Sequence, residues 1–384
     1  MKTEIKNLKK AGSRILKAIK SKERIIIYGD ADLDGVASVI ILKEAIKNLG
    51  GEISAVYFPD REKEGYGVTE TGLDYLKKFS PALFITLDCG IGSFNEIKIA
   101  KEIGFEVIVV DHHEALDKLP EASIIVDPKQ KEDKYPFKDF ANAGLAFKLS
   151  EVLFKKKMTD NLRKNFLELV ALATIADMMP RVDENEEMII EGLGSLESSW
   201  RPGIRALFKI KDFESFGLMA KVYKINSLLN IRDIRNKMPA AFRLLTVFDI
   251  NEAKRLAKKL LQKGIEKKQR IREITEEVEA KIFQRDEEPI IFEGDSKWEL
   301  PLIGVVASII SKRYKKPVFL YKEQKEESQG GIRAPSGFDV VRAMKKCSKN
   351  LMTFGGHKQA AGFRINNKNL EKFEECLIRY FKKL

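Results

Sequence analysis

Ile25-Ile26-Ile27-Tyr28-Gly29-Asp30-Ala31-Asp32-Leu33-Asp34-Gly35 joins an unbroken apolar run to three aspartates at alternate positions, and this pattern decides how the first half of the chain folds. Such a run, bounded by turn residues, predicts a strand buried on both faces, as in a parallel sheet. The design recurs: Leu83-Phe84-Ile85-Thr86-Leu87 runs into Asp88, Val107-Ile108-Val109-Val110 into Asp111, and Ile124-Ile125-Val126 into Asp127. Between these runs lie helical patterns, Val36 to Leu49 and Ser93 to Ile103, closed by Gly50 and Gly104. The alternation predicts an open α/β sheet, and ligands of such sheets bind beyond the carboxyl ends of the strands. One aspartate there is an ordinary cap or turn former. Four at one sheet edge crowd negative charge that bound cations would neutralise.

Beyond the sheet, Leu145 to Gly192 reads as helical and ends its most apolar stretch at Asp177, in Ala173-Thr174-Ile175-Ala176-Asp177-Met178-Met179-Pro180. Residues 251–284 hold no proline and one glycine, with Leu256, Leu260, Leu261, Ile265, Ile271, Ile274 and Val278 on a helical stripe, which predicts a long connecting helix. A second, smaller α/β unit follows. Ile290-Ile291-Phe292 and Val318-Phe319-Leu320-Tyr321 read as strands, and Leu302–Ser311, Phe338–Lys346 and Leu370–Lys383 as helices. The expected division is 1–195, a parallel-sheet domain; 196–285, a helical connector; and 286–384, the smaller α/β domain.

With 44% hydrophobic and 33% charged residues, the 384-residue chain can bury real cores beneath a soluble surface. No apolar run approaches the ~20 residues that span a bilayer, and no apolar stretch follows Met1-Lys2-Thr3-Glu4-Ile5-Lys6. The expectation is a cytoplasmic protein with no membrane partner. Three cysteines, Cys89, Cys347 and Cys376, form an odd count without C-x-x-C spacing, which predicts neither a disulfide framework nor a zinc site. A net charge of +12 suits an anionic partner, nucleic acid being the usual one.

The chemistry-bearing residues are few. Asp30, Asp32 and Asp34 form a hard-oxygen set at a strand-to-helix turn. An EF-hand loop begins similarly but follows a helix and needs Glu at its twelfth position, here Ile41. With Asp88, Asp177 and His112 the set reaches five carboxylates and an imidazole, without thiolate. That suits Mn²⁺ or Mg²⁺ better than zinc and provides for two ions ~3.5–4 Å apart. Asp111 can hydrogen-bond an imidazole and fix its tautomer, leaving His113 to face substrate as charge stabiliser or proton donor. Gly355-Gly356-His357-Lys358 reads as a tight turn opening a helix, whose N–H groups and Lys358 suit an anion. Gly330-Gly331-Ile332-Arg333 adds a guanidinium.

These motifs resemble the DHH phosphoesterases, most closely their RecJ-type single-strand exonuclease branch. Tyr28 to Gly35, Thr86-Leu87-Asp88-Cys89-Gly90, Val110-Asp111-His112-His113 and Thr174 to Pro180 are similar to the family's metal motifs. Gly304-Val305-Val306-Ala307-Ser308, Gly331-Ile332-Arg333 and Phe354 to Gly362 are similar to the DHH-associated domain. The resemblance implies a phosphodiesterase using two Mn²⁺ or Mg²⁺ ions. It also implies a second domain that holds substrate phosphates, across a cleft, through Arg333 and His357. It further implies 5′-to-3′ digestion of single-stranded DNA, rather than RNA, in repair and recombination, with a replication or repair protein as a candidate partner. The expectation is a compact form lacking the OB-type domain of bacterial RecJ proteins, and Ile225-Asn226-Ser227-Leu228-Leu229-Asn230-Ile231-Arg232 follows the family's Asn-Ala…Gly-Arg segment only loosely. Two alternatives stand beside this reading: a phosphodiesterase for short RNA or cyclic dinucleotides, and a replication scaffold that has lost catalysis.

Overall fold

A computed structural model describes residues 4–115, 118–282 and 288–383. The domain start expected at 286, the last two residues of the connecting helix predicted over 251–284, and Met1, Lys2 and Thr3 lie outside the described residues. The chain forms two compact units, Met1–Gly264 and Ile265–Leu384.

The first unit runs α1 (Leu8–Lys20), β1 (Ile25–Gly29), α2 (Leu33–Asn48), β2 (Ala55–Tyr57), α3 (Glu70–Leu76), β3 (Ala82–Leu87), α4 (Phe94–Glu102), β4 (Phe105–Val110) and β5 (Ile124–Val126). It continues through α5 (Asn142–Phe154), α6 (Asp160–Ala176), α7 (Asp183–Leu193), α8 (Pro202–Phe208), α9 (Leu218–Leu229), the short strands β6 (Ile234–Arg235) and β7 (Met238–Pro239), and α10 (Ala240–Thr246). The helix α11 (Ile250–Ile282) begins there and ends in the second unit. The second unit adds β8 (Ile291–Asp295), α12 (Leu300–Tyr314), β9 (Val318–Glu323), β10 (Glu327–Arg333), α13 (Val340–Lys346), β11 (Thr353–His357), β12 (Ala360–Asn366) and α14 (Leu370–Phe381).

The large sheet is parallel, in the order β2-β1-β3-β4-β5. Its strands are nearly all apolar because each serves two cores, with Thr86 in β3 and Glu106 in β4 as polar exceptions. Ile25 and Ile27 join Leu83, Ile85, Ile108 and Val110 in one core with α2, α5 and α6. Ile26 and Tyr28 join Phe84, Val107 and Val109 in the other, with α3 and α4. Side chains alternate across a strand, so a two-sided sheet needs an unbroken apolar run. The edge strand β2, half-buried and three residues long, carries no such run and was not anticipated.

Where a strand ends, its aspartate closes the edge with its own backbone. The N–H of Asp30 donates to Leu87 O (3.2 Å), that of Asp88 to Val110 O (3.1 Å), and that of Asp111 to Val126 O (3.0 Å).

The smaller sheet is mixed, in the order β11-β12-β10-β9-β8, with only β8 and β9 parallel. It corrects one expectation: Gly355-Gly356-His357 does not open a helix but ends the edge strand of the β11–β12 hairpin. Glycine pairs punctuate strands as readily as helix starts, and only the pairing with Gly362, Ala361 and Ala360 separates the two. A second correction concerns the cysteines. Cys347 and Cys376, 29 residues apart, are joined by a disulfide between the end of α13 and α14, with Cα atoms 5.9 Å apart. An odd count concealed a pair that folding brings together, while Cys89 stays free and buried. Among the described residues no helix is long and apolar enough to cross a membrane.

Candidate active site

The turn after β1 makes the site possible. Asp32 caps α2, its Oδ1 accepting from the N–H groups of Asp34 and Gly35 at 3.1 Å. A Cβ on Gly35 would lie 2.4 Å from Asp30 O, so no side chain fits there without moving the Asp30 backbone. Asp34 is buried and accepts at both oxygens from the first N–H groups of α5, Asn142 (2.7 Å) and Ala143 (2.8 Å). These are unpaired helix-start donors, so the carboxylate and the helix satisfy each other.

The described acids come together in three overlapping groups: Asp30, Asp32 and Asp88; Asp34, His112 and Asp177; and Asp88, His112 and His113. Asp177 arrives as the C-terminal cap of α6, and Met178 after it turns left-handed with φ of 55°. Asp88 itself has φ of 62°, a conformation an aspartate adopts at a cost of order 1–3 kcal/mol. The fourth strand-end aspartate departs from the expected crowd: Asp127 lies outside all three groups, and its Oδ1 accepts from Lys129 N at 2.8 Å.

His112 fixes the character of the centre. It is buried, and its Nδ1 lies 2.8 Å from Phe140 O. A carbonyl only accepts, so Nδ1 carries the proton. Burial, then the neighbouring His113 charge, pushes the His112 pKa down to about 4, so the ring is neutral near pH 7. Its Nε2 lone pair therefore faces Asp88 Oδ1 (3.1 Å), Asp34 Oδ2 (3.7 Å) and Asp177 Oδ2 (3.8 Å). Asp88 Oδ1 is buried without a hydrogen bond. Lone pairs gathered in this way repel one another unless a cation stands among them. The acids carry the same signature. Burial, then the charges of Asp177 and Asp32, raises Asp34 to about 8. Burial and the Asp32 charge raise Asp177 to about 6. Asp88 is raised by burial, Asp32 and Asp34. A hard divalent ion fits this donor set.

Asp111 takes a different part. Its Oδ1 lies 2.8 Å from His113 Nδ1 and accepts from His112 N (2.8 Å), while Oδ2 accepts from Ile91 N (2.9 Å). The imidazole it orients is thus that of His113. Burial works to lower the His113 pKa, but the hydrogen bond and charge of Asp111 outweigh it and raise the value.

Three neighbours were missed from sequence. Arg61 reaches Asp30 Oδ1 (2.6 Å) and Asp32 Oδ2 (2.9 Å) from a loop that reads as solvated charge. Tyr66 places its hydroxyl 3.1–3.2 Å from both ring nitrogens of His113. An aromatic between Gly65 and Gly67, both at positive φ, was the signal that could have found it. Asn142 is fully buried; in the orientation that satisfies its neighbours its amide donates to Val110 O (3.0 Å) and accepts from Ser38 Oγ (3.0 Å) and Asp88 N (2.9 Å). Asn142→Ala should cost about 1–3 kcal/mol in chemical denaturation, the usual effect of stranding buried polar groups. A loss below ~0.5 kcal/mol would mean that this network does not hold the sheet edge.

The candidate substrate residues belong to the second unit. Register aligns Arg333, Ala360 and His357 across β10, β12 and β11, and likewise Gly331, Gly362 and Gly355. Paired residues share a sheet face, so the row of Arg333, Ala360 and His357 borders a lane of three glycines without side chains. A Cβ on Gly331 would meet Gly304 of α12 at 3.6 Å, whereas at Gly355 nothing lies within 4 Å. Gly356 (φ 137°) and the exposed Lys358 follow at the hairpin end.

Residues 24–174 match the model of the DHH family's N-terminal domain, and residues 287–383 that of the DHHA1 domain. The chain is 34% identical to the single-stranded-DNA-specific exonuclease RecJ of Bacillus subtilis, over 94% of this chain and 46% of that protein. It is 30% identical to the protein of the same name from Thermus thermophilus, over 98% of this chain and 54% of that protein. It thus spans about half the length of these curated relatives. A crystal structure of exonuclease RecJ bound to manganese superposes with a TM-score of 0.85 at 27% identity, covering 100% of this chain and 96% of that one.

Proposed function

Because this chain belongs to the DHH family, we propose that it is a divalent-metal phosphodiesterase that digests single-stranded DNA from the 5′ end. The observation that carries the reading is the His112 Nε2 lone pair aimed at Asp88, Asp34 and Asp177. Asp30, Asp32, Asp34, Asp88, His112 and Asp177 would hold two Mn²⁺ or Mg²⁺ ions, in keeping with the manganese of the RecJ crystal structure. Such a pair supplies a water of lowered pKa and neutralises charge on the phosphoryl oxygens. His113, held by Asp111 and half-exposed, protonates the leaving oxygen or stabilises its charge. In the second unit, Arg333, Gly355, Gly356, His357 and Lys358 bind strand phosphates, and the bare glycine lane lets the backbone approach closely. Residues 1–195 thus carry catalysis, 196–285 connect, and 286–384 bind substrate.

The test compares a long single strand, labelled at either end and made as DNA and as RNA, with a dinucleotide, all in Mn²⁺. Mononucleotides released from the 5′ end of DNA are the expected result. Rapid dinucleotide cleavage beside an untouched long strand would replace this reading with that of a short-oligonucleotide phosphodiesterase.

A further inference from the structure

The hairpin β6–β7 separates two cavities of the first unit. Its turn, Asn236-Lys237, has φ of 51° and 63°, and Lys237 Nζ reaches Glu64 Oε1 and Tyr57 Oη, each at 3.3 Å. On so short a ladder, Ile234 and Pro239 share one face and Arg235 and Met238 the other. The first face lines a cavity of about 310 Å³ together with Asp32, Arg61 and Arg232, which places it at the acid cluster. The second lines a cavity of about 380 Å³ with Arg243, Arg255, Lys259 and Glu252 around Met238, Val247 and Leu256.

This second cavity is cationic beyond what its own acids balance. Two of its cations, Arg235 Nε (3.2 Å) and Arg243 NH2 (2.9 Å), share Asp233, which lines the first cavity, with Lys263 Nζ (2.7 Å), three cations on one carboxylate. Glu252 stands 3.6 Å from Arg255, and Lys259 is exposed. The Nε of Arg243 has no hydrogen-bond partner. Phe248, next in the chain after Val247, is 83% exposed. Cations interleaved with an exposed aromatic grip single strands by phosphate contact and base stacking.

We propose that this cavity is a strand-tracking subsite, in which Arg235, Arg243, Arg255 and Lys259 hold the backbone of a single-stranded nucleic acid and Phe248 stacks one base. The inference rests on the function proposed above, because a cavity on the opposite face of the hairpin that borders the acid cluster favours a strand over an acidic peptide. The subsite lies beyond the nucleotide that reacts, so it grips only substrates several nucleotides long.

The test measures binding of a fluorescent 12-nucleotide strand and of a trinucleotide in EDTA, where no hydrolysis intervenes, for the full chain, Arg255→Glu/Lys259→Glu and Phe248→Ala. These side chains are on the surface, and unchanged melting temperatures establish that both variants fold. The double variant should weaken 12-nucleotide binding roughly tenfold or more. Its salt dependence should fall by about 1.4 in log–log slope, two contacts at about 0.7 each. Trinucleotide affinity should stay within twofold, and Phe248→Ala should lose affinity without changing the slope. Equal slopes and affinities in variant and wild type would overturn the proposal. So would loss of binding to an acidic, apolar-rich peptide with strand binding intact, which would assign the cavity to a protein partner. Failure of wild type to cleave any single strand would remove the proposed function instead, and the EDTA binding result would still be readable.

Discussion

Asp88→Asn should reduce Mn²⁺-dependent turnover by at least about a thousandfold, the upper range for removing one electrostatic stabiliser from a reacting site, while the protein keeps its fold. The change is nearly isosteric and leaves the backbone untouched. What disappears is the anionic Oδ1, 3.1 Å from the His112 lone pair and without a hydrogen bond of its own. A second measurement separates this from general damage. Asp34 and Asp177 have pKa values raised to about 8 and about 6 from an ordinary 3.8. A carboxyl raised on folding stabilises the native state below its unfolded pKa, and that contribution is lost as pH rises through the folded value. In EDTA, the wild-type melting temperature should therefore fall between about pH 5 and 8. Asp88→Asn removes one of the repelling charges and should fall less. Mn²⁺ should restore the wild type most at high pH, since an ion bound at a hundred times its Kd adds about 2.7 kcal/mol. A variant that retains more than a tenth of wild-type turnover, or a wild type whose melting temperature rises with pH in EDTA, would count against a metal centre here.

His113→Ala should lower kcat by about 10²–10⁴, the usual contribution of a positioned acid or base, with Mn²⁺ affinity within a few-fold of wild type. The ring is half-exposed and its Nδ1 is engaged by Asp111, so its loss removes a group facing outward. Asp111 raises its pKa against the opposing effect of burial. A proton donor is active when protonated, so wild-type rate should decline on the alkaline side as His113 titrates, and the variant should lose that limb. An ester with a good leaving group needs no proton and should recover much of the rate. Loss of Mn²⁺ binding in the variant would instead make His113 a ligand, and a defect independent of leaving group would remove it as a proton donor.

The sheet was legible because four of its five strands are nearly continuous apolar runs that end in aspartate, a pattern that leaves few other folds. Asp30, Asp88, Asp111, His112 and His113 were findable because they follow those strands directly. Asp127 looked equivalent and is not, since strand-end position alone does not say which way a carboxylate turns. Asn142, Arg61 and Tyr66 act from elements remote in sequence, and no local spacing marks them. The glycine–histidine segment drew attention as a turn, yet its partners in β12 lie across a hairpin that composition does not register. Cys347 and Cys376 were hidden for a similar reason: the contact joins two helices, and counting sees only the odd third thiol.

The staircase of backbone bonds from Asp30, Asp88 and Asp111 to the last carbonyls of their neighbouring strands has a consequence for descent. Those bonds use the peptide groups of residues whose side chains belong to the acid cluster, Asp30 and Asp88, or orient His113 beside it, Asp111. The proposed chemistry and sheet closure are therefore written at the same positions in different atoms. A single base change can silence the chemistry and leave the platform standing, free to be kept for whatever it still holds. On the proposed function, enzyme and inert carrier lie one substitution apart on this sheet edge.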